Sequence, residues 1–269
     1  MVADADWIID ETTDVSGPIT VDGDLKRRGL IPRDFRGDPP GCNAMAPEMP
    51  EALVIPEDEW AERLAEQQAH RASLFDLRER QPATLASLDQ DGYGYCWAFS
   101  TTKAVMYARA VANQPGIVLS AWAVGAIVKN YRDQGGWCTQ SLDFIATVGV
   151  PSLALWPQGR VDRRLDTEAM RANAALHRCT EWWDGSSSRE RNRKLMVSAF
   201  LLGFAPVLDF NWWGHSVCGC RLVSLNPLTI DIDNSWTNRA GNNGIYRLVG
   251  ERAIPDGLCV PRVSVPSLE

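Results

Sequence analysis

The 269-residue chain contains no long apolar run. Its richest stretch, 195–210, is interrupted by Ser198, Gly203, Pro206 and Asp209. A bilayer-spanning helix needs about 20 consecutive apolar residues, so none is expected. Basic charge is not in excess either. Twenty-seven Lys and Arg stand against 34 Asp and Glu, a formal net charge of −7. A nucleic-acid partner selects a basic face, so this balance argues against one. The seven cysteines are odd in number and unclustered, which does not read as a disulfide framework. Cys218-Gly219-Cys220 lacks a second pair and reads as two small side chains on one strand face, not a zinc site. The opening residues Met1-Val2-Ala3-Asp4-Ala5-Asp6 lack the basic start and apolar core of a Sec signal. The compartment is left unassigned, with the cytoplasm or an intracellularly assembled particle as the places that fit.

What is present is ordinary globular material, 45% hydrophobic with eleven tryptophans, enough for one large domain or two lobes around a joint core. Residues 1–56 are punctuated by Gly17-Pro18, Asp22-Gly23, the run 37–41 and Pro47, Pro50 and Pro56, and are expected to form an extended arm with short strands. Trp60 and Leu64 then recur at helical spacing, predicting a short amphipathic helix over 57–74, with His70 on its polar side. A largely buried helix is expected over 96–112, and further helices over 121–131, 141–148, 166–176 and 190–201. His177, at the end of one of these, reads as a surface group. After Gly203 the texture becomes β, with short apolar runs at 206–210, 215–223, 229–234 and 244–249. Helices first and strands later indicate an α+β layout with two unlike halves.

A nucleophilic cysteine needs a base, an orienter for that base, and donors for an oxyanion. Cys96 falls in the opening turn of the predicted helix, where free backbone N–H groups favour thiolate. Gly92 and Gly94 allow the preceding loop a close approach, so that the Gln90 amide could point back to the sulfur. Far downstream His215 opens one strand and Asn234 ends the next. A turn at Asn226-Pro227 would lay them side by side.

These residues resemble the papain-like cysteine peptidases of the C1 type. The resemblance rests on Gln90 with Cys96-Trp97-Ala98-Phe99-Ser100, and on Asn234-Ser235-Trp236 followed by Gly241 and Gly244. Asp76-Leu77-Arg78, Gly135-Gly136-Trp137, Trp156-Pro157 and Ala205-Pro206-Val207 follow the family's order over about residues 73 to 260. It implies a papain-like two-lobed fold: a helical left lobe whose central helix starts at the catalytic cysteine, an antiparallel β-barrel-like right lobe, and an N-terminal extension. The extension would be 1–72 and the peptidase domain 73–269. It further implies a hydrolase that cleaves peptide bonds through a thioester with a Cys96–His215–Asn234 triad, needing no metal or organic cofactor. Gln90 and the Cys96 N–H would form the oxyanion hole, where losing one donor costs about 2.7–4 kcal/mol. Trp236 would shield the histidine–asparagine bond. Gly135 and Gly136 would bind an extended peptide or protein substrate, with Trp137 walling an apolar pocket and Tyr95 and Trp213 at the cleft.

Several departures are visible. Tyr93 and Asp133 stand where the family bridges two cysteines, which suits a reducing compartment. Tyr95 replaces a small residue and is expected to narrow the cleft, and Gly214 replaces an Asp or Asn before the histidine. Residues 1–72 lack the family's helical pro-motif, leaving two readings: an inhibitory prosegment, or an arm docking on the body or on an assembly partner. Two rival functions stay open. One is a papain-fold structural or assembly protein of a larger particle, for example a virion component. The other is an amidase acting on a non-protein amide such as a cell-wall crosslink.

Overall fold

The computed structural model describes residues 7–33 and 46–264. Cys42, the turn-rich run 37–41 and Pro266 lie outside the described residues. Among the described residues six cysteines are free and buried, and no helix is long and apolar enough to cross a membrane.

The arm begins with β1 (Ile8–Ile9) and a small hairpin of β2 (Ile19–Val21) and β3 (Asp24–Lys26), turned at Asp22-Gly23. The expected amphipathic helix is α1 (Trp60–Ala69), shorter at both ends. A further helix that was not expected, α2 (Leu74–Arg80), follows it, started by a reciprocal capping box between Ser73 and Asp76. A single turn, α3 (Pro82–Leu85), leads to α4 (Cys96–Val111). Then come α5 (Ala121–Val128), α6 (Cys138–Thr147), α7 (Glu168–Ala174), β4 (Glu181–Asp184) and α8 (Arg189–Leu201). The remainder is strand: β5 (Val207–Phe210), β6 (His215–Leu225), β7 (Leu228–Asp233), β8 (Ile245–Val249) and β9 (Gly257–Arg262). The helix-then-strand order is as read. The strands β4 and β9 lie outside the runs read as strand, because Trp182-Trp183 lie beside polar residues and the proline-containing tail from Ile254 reads only as extended.

Seven strands form one sheet in the order β1-β8-β7-β6-β5-β9-β4. The arm's β1 joins its edge in parallel with β8. Helices cover one face. Trp97, Phe99 and Tyr107 of α4 pack with Trp122 and Leu142 against Val207 and Cys218. On the other face Leu208, Phe210, Leu222, Ile230 and Leu248 meet Leu195 and Phe200 of α8. Strand β5 is buried at all four positions because both faces are covered, which is why it reads as a continuous apolar run around Asp209. His177 proves buried, its Nδ1 2.9 Å from the Val150 carbonyl, because the turn after α7 folds under the helical core.

Residues before 73 share the second core. Ile9, Val21, Trp60 and Leu64 pack with Phe200 and Leu222, and Trp60 Nε1 donates to the Ile55 carbonyl at 2.9 Å. Trp60→Ala is therefore expected to destabilise the whole chain, not the extension alone, by about 3–5 kcal/mol. Denaturant unfolding should show one transition, moved to lower concentration with its slope unchanged.

Candidate active site

Cys96 opens α4, which begins at the foot of a loop tied down by its own backbone: the Trp97 indole donates to the Gly94 carbonyl at 3.1 Å. His215 is the first residue of β6, and Asn234 follows the last residue of β7. Cys218 pairs with Asp233 across these strands, and the two side chains meet beyond that point. His215 Nε2 lies 2.8 Å from Asn234 Oδ1. The same oxygen accepts the Ser235 N–H at 2.8 Å, so it is the amide oxygen that faces the ring, and Nε2 must be the donor. His215 Nδ1 is left buried with no hydrogen-bond partner among the described residues. The Trp236 ring stacks on the imidazole at 4.6 Å between centroids, and Trp213 meets it edge-on at 4.9 Å.

The position of Asn234 depends on its neighbour Asp233. That carboxylate is buried and accepts from Tyr107 Oη at 2.7 Å and Ser87 Oγ at 2.5 Å. Two cations flank it, Lys103 Nζ at 3.2 Å and Arg78 Nε at 3.3 Å. Lys103 comes from α4 and Arg78 from α2, so the helix that carries Cys96 is tied to the strand end that carries Asn234. Both cations are themselves buried. A buried carboxylate with this many donors holds one geometry, since losing any partner leaves a charge unpaired.

The arm enters this site. Gly29 N–H donates to Cys96 Sγ at 3.3 Å. The Arg27 carbonyl accepts from Gln90 Nε2 at 2.7 Å, and Gln90 Oε1 accepts from Ser235 Oγ. Leu30 N–H bonds the Gly214 carbonyl at 3.1 Å, Ile31 N–H bonds the Gly136 carbonyl at 3.2 Å, and Gly136 N–H bonds the Gly29 carbonyl at 2.9 Å. Residues 27–31 thus run strand-fashion between the Gly135-Gly136 segment and the residue before His215. A Cβ at Gly29 would lie 2.0 Å from the Gly94 carbonyl oxygen, so only glycine passes there. Arg27 pairs with Asp133, whose other oxygen accepts the Gly94 N–H at 2.8 Å. An ion pair and a hydrogen bond therefore occupy the place of the missing cysteine bridge.

Coverage changes the electrostatics. Burial pushes the Cys96 thiol up to about 12, against smaller opposing hydrogen bonds from the Ser216 and Gly29 backbone. Burial likewise depresses His215 to about 3; the Asn234 hydrogen bond opposes this, and Arg28, whose guanidinium reaches the Trp213 carbonyl, reinforces it. The expected thiolate is thus not the covered form. Desolvation outweighs the helix terminus, and thiol and imidazole are both neutral.

Other expected contacts divide. Gly135, Gly136, Trp213 and Trp236 line the occupied groove, as the bonds and ring contacts above record. Tyr95 does not narrow it. Its ring turns into the helical core against Gly125 and Trp122, its hydroxyl donates to the Arg132 carbonyl at 2.7 Å, and it is fully buried. Trp137 is half-buried near the Lys129 ammonium, 5.8 Å from its ring centroid. Cys138, two residues past Gly136, leads to a charged cluster. It holds Asp209, Asp184 and the Arg33 guanidinium, bound to Asp184 by two bonds of 2.7 and 2.8 Å. Sequence reading missed these groups. The available signal was a charge inside an apolar run, Val207-Leu208-Asp209-Phe210, and an arginine cluster, Arg27-Arg28-Gly29, in the arm.

No family sequence model matches the chain, and no curated protein matches it in sequence. Solved structures do match in shape. Xylellain, a cysteine protease from Xylella fastidiosa, superposes with a TM-score of 0.59 at 15% identity, covering 89% of this chain and 99% of that one. A digestive procathepsin L 3 of Tenebrio molitor gives 0.53 at 18% identity, covering 66% of each chain, so the present chain spans about two thirds of it. A recombinant stem bromelain precursor gives 0.56 at 20% identity, covering 70% of this chain and 69% of that one. The chain has a papain-like α+β fold.

Two outcomes are expected. Lys103→Met leaves Asp233 underpaired and should cost about 3 kcal/mol in urea unfolding. The second concerns pH. His215 is depressed to about 3 when covered, against an ordinary 6.5, so the covered state holds fewer protons. It therefore loses stability relative to the uncovered state as pH falls from about 6.5 toward 3, by up to about 1.4 kcal/mol per pH unit. Amide exchange at Leu30 and Ile31, corrected for intrinsic rates, should accelerate between pH 7 and pH 5, and the acceleration should vanish in His215→Ala.

Proposed function

We propose that the chain is a cysteine peptidase with a Cys96–His215–Asn234 triad, held latent by its own residues 27–33. The observations that carry this reading are the Gly29 N–H bonded to Cys96 Sγ, and the Ser216 backbone on that same sulfur, one residue after an imidazole already oriented by Asn234. A peptide N–H is a donor and not an electrophile, so the arm can lie on the sulfur without being attacked by it. Its inward course supports latency over an arm reaching for an assembly partner.

Uncovering the cleft returns water to Cys96 and His215 and reverses both shifts, so the proton can pass from thiol to His215 Nδ1. The thiolate then attacks the acyl carbon. Gln90 Nε2, released from the Arg27 carbonyl, and the Cys96 N–H receive the oxyanion. His215 gives its proton to the departing amine, and the thioester remains on Cys96. Water next attacks, with His215 Nδ1 taking its proton, and the acid leaves. Asn234 keeps the ring in one tautomer throughout, and Trp236 excludes water from that bond.

Iodoacetamide labelling mapped by mass spectrometry tests both parts. Cys96 is expected to react first among the cysteines once the arm is displaced, and His215→Ala should abolish that preference at neutral pH. Gly29→Val cannot pass Gly94 and should raise the labelling rate of Cys96 about tenfold or more, alongside hydrolysis of a peptide substrate. Equal labelling of several cysteines in Gly29→Val would remove the triad reading. Unchanged labelling would remove the latency.

A further inference from the structure

A cavity of about 420 Å³ shares no wall residue with the groove that the arm fills. Its back is apolar, built by Phe99, Leu119, Trp122 and Leu153, and residues 86–89 and 237–239 make one side. These two segments belong to a short ladder. Gln90 N–H donates to the Ser235 carbonyl at 2.9 Å and Thr237 N–H to the Leu88 carbonyl at 3.1 Å, with Asp89 opposite Trp236 between them. One end of the ladder therefore carries Gln90 and leads back to Asn234, and the other end walls the cavity. Thr237 is held at a φ of 72°, a left-handed conformation that a β-branched residue takes only where its surroundings impose it. Among the described residues that line the cavity only Asp89 and Arg239 are charged, and the arm's hairpin holds both. Asp89 Oδ1 accepts from Lys26 Nζ at 3.1 Å and from the Asp91 N–H at 2.9 Å, while its Oδ2 takes no hydrogen bond among the described residues. Arg239 Nη1 pairs with Asp22 Oδ2 at 3.0 Å. Asp22 turns the hairpin and Lys26 ends β3, immediately before the residues that enter the cleft.

An apolar back with one anion and one cation beside it fits a molecule that carries both charges next to an apolar body. A lone amine leaves Arg239 unanswered, and a lone carboxylate leaves Asp89 so. We propose that this cavity is an effector site for a free amino acid with an apolar side chain, its ammonium on Asp89, its carboxylate on Arg239 and its side chain against Leu119, Trp122 and Leu153. The volume lies within the ordinary range of small-molecule sites. The ammonium first takes Asp89 Oδ2, which the arm leaves unused, and then competes with Lys26; the carboxylate competes with Asp22 for Arg239. The seated arm and the effector thus claim the same two charges, so each binds better where the other is absent. As the site fills, the hairpin loses the ion pairs that hold it just ahead of Arg27, and the cleft opens. The binding site stands by itself, and its regulatory half rests on the peptidase reading. Free amino acids are the end product of peptide hydrolysis, so the reaction class that supplies the effector is the one proposed for the chain.

The test uses the full-length chain with L-phenylalanine as the probe, and phenethylamine and phenylpropionate as forms that lack one charge. Calorimetric titration and the melting temperature read binding; Cys96 alkylation and amide exchange at Leu30 and Ile31 read the arm. L-Phenylalanine at millimolar concentration is expected to raise the melting temperature. It should also speed Cys96 alkylation by about fivefold or more, with each single-charge form doing less. Arg239→Gln should weaken L-phenylalanine binding by about tenfold. Asp89→Asn should raise the alkylation rate without any ligand, because Lys26 loses its partner, and should remove the response to L-phenylalanine. Leu153→Trp fills the apolar back and should abolish binding. Arg239 is exposed, so its variant keeps the fold and carries the test where Leu153→Trp does not fold. No binding of L-phenylalanine, or binding that neither Arg239→Gln nor Leu153→Trp weakens, overturns the site. Equal binding of phenethylamine or phenylpropionate overturns the two-charge recognition. Binding that leaves Cys96 alkylation and amide exchange unchanged overturns the regulation and leaves the peptidase standing. Faster amide exchange on binding, with no peptide cleaved, removes the peptidase and leaves the effector site in place.

Discussion

The hydrogen bond from His215 Nε2 to Asn234 Oδ1 depends on a carboxylate that takes no part in it. Asp233 is buried one residue earlier and gathers Tyr107, Ser87, Lys103 and Arg78 around itself. Lys103 and Tyr107 belong to the helix that Cys96 begins. A charge that cannot be left unpaired therefore fixes the end of β7 against α4, and so sets the distance between the helix that begins at Cys96 and the strand end that carries Asn234. The tryptophans around the imidazole follow from the same need to keep that seam dry.

Dryness also underlies the proposed latency. With residues 27–33 in the groove, thiol and imidazole are pushed toward their neutral forms from opposite sides. Removal of solvent is enough to shift both groups, with no rearrangement of Cys96, His215 or Asn234. The arm achieves this with main-chain bonds to Gly136 and Gly214 and with one narrow crossing at Gly29, while Arg27 and Arg33 anchor its two sides through Asp133 and Asp184. Others of its described residues, among them Ile9 and Trp60, are part of the second core. The extension is thus continuous with the body in packing, although it is separate in sequence texture.

Much of the site was legible beforehand. Cys96, His215, Asn234 and Gln90 stand in segments whose local chemistry is self-declaring: a helix start, two strand ends and a glycine-loosened loop. The buried helix over 96–112 and the strands at 215–223 and 229–234 were equally readable from apolar spacing. Tyr95 was misread, because its neighbour in sequence is Cys96 while its neighbours in space are Trp122 and Gly125. The strand Gly257–Arg262 was hidden by Pro261, which a ladder accepts where no N–H is required of it.

Periodicity and residue type, which act within a few positions of the chain, determined the element order, the unlike halves and the choice of candidate site residues. Only the tertiary structure decided which way the arm runs, that Gly29 lies on the sulfur, and that Arg33 fills an acidic pocket on the far side of Gly136. Those outcomes depend on desolvation and charge pairing between residues widely separated in sequence, and neither leaves a periodic trace in the chain. An aspartate within an apolar strand and arginines within a glycine-punctuated arm are each unremarkable alone; their meaning comes from being brought into one dry space.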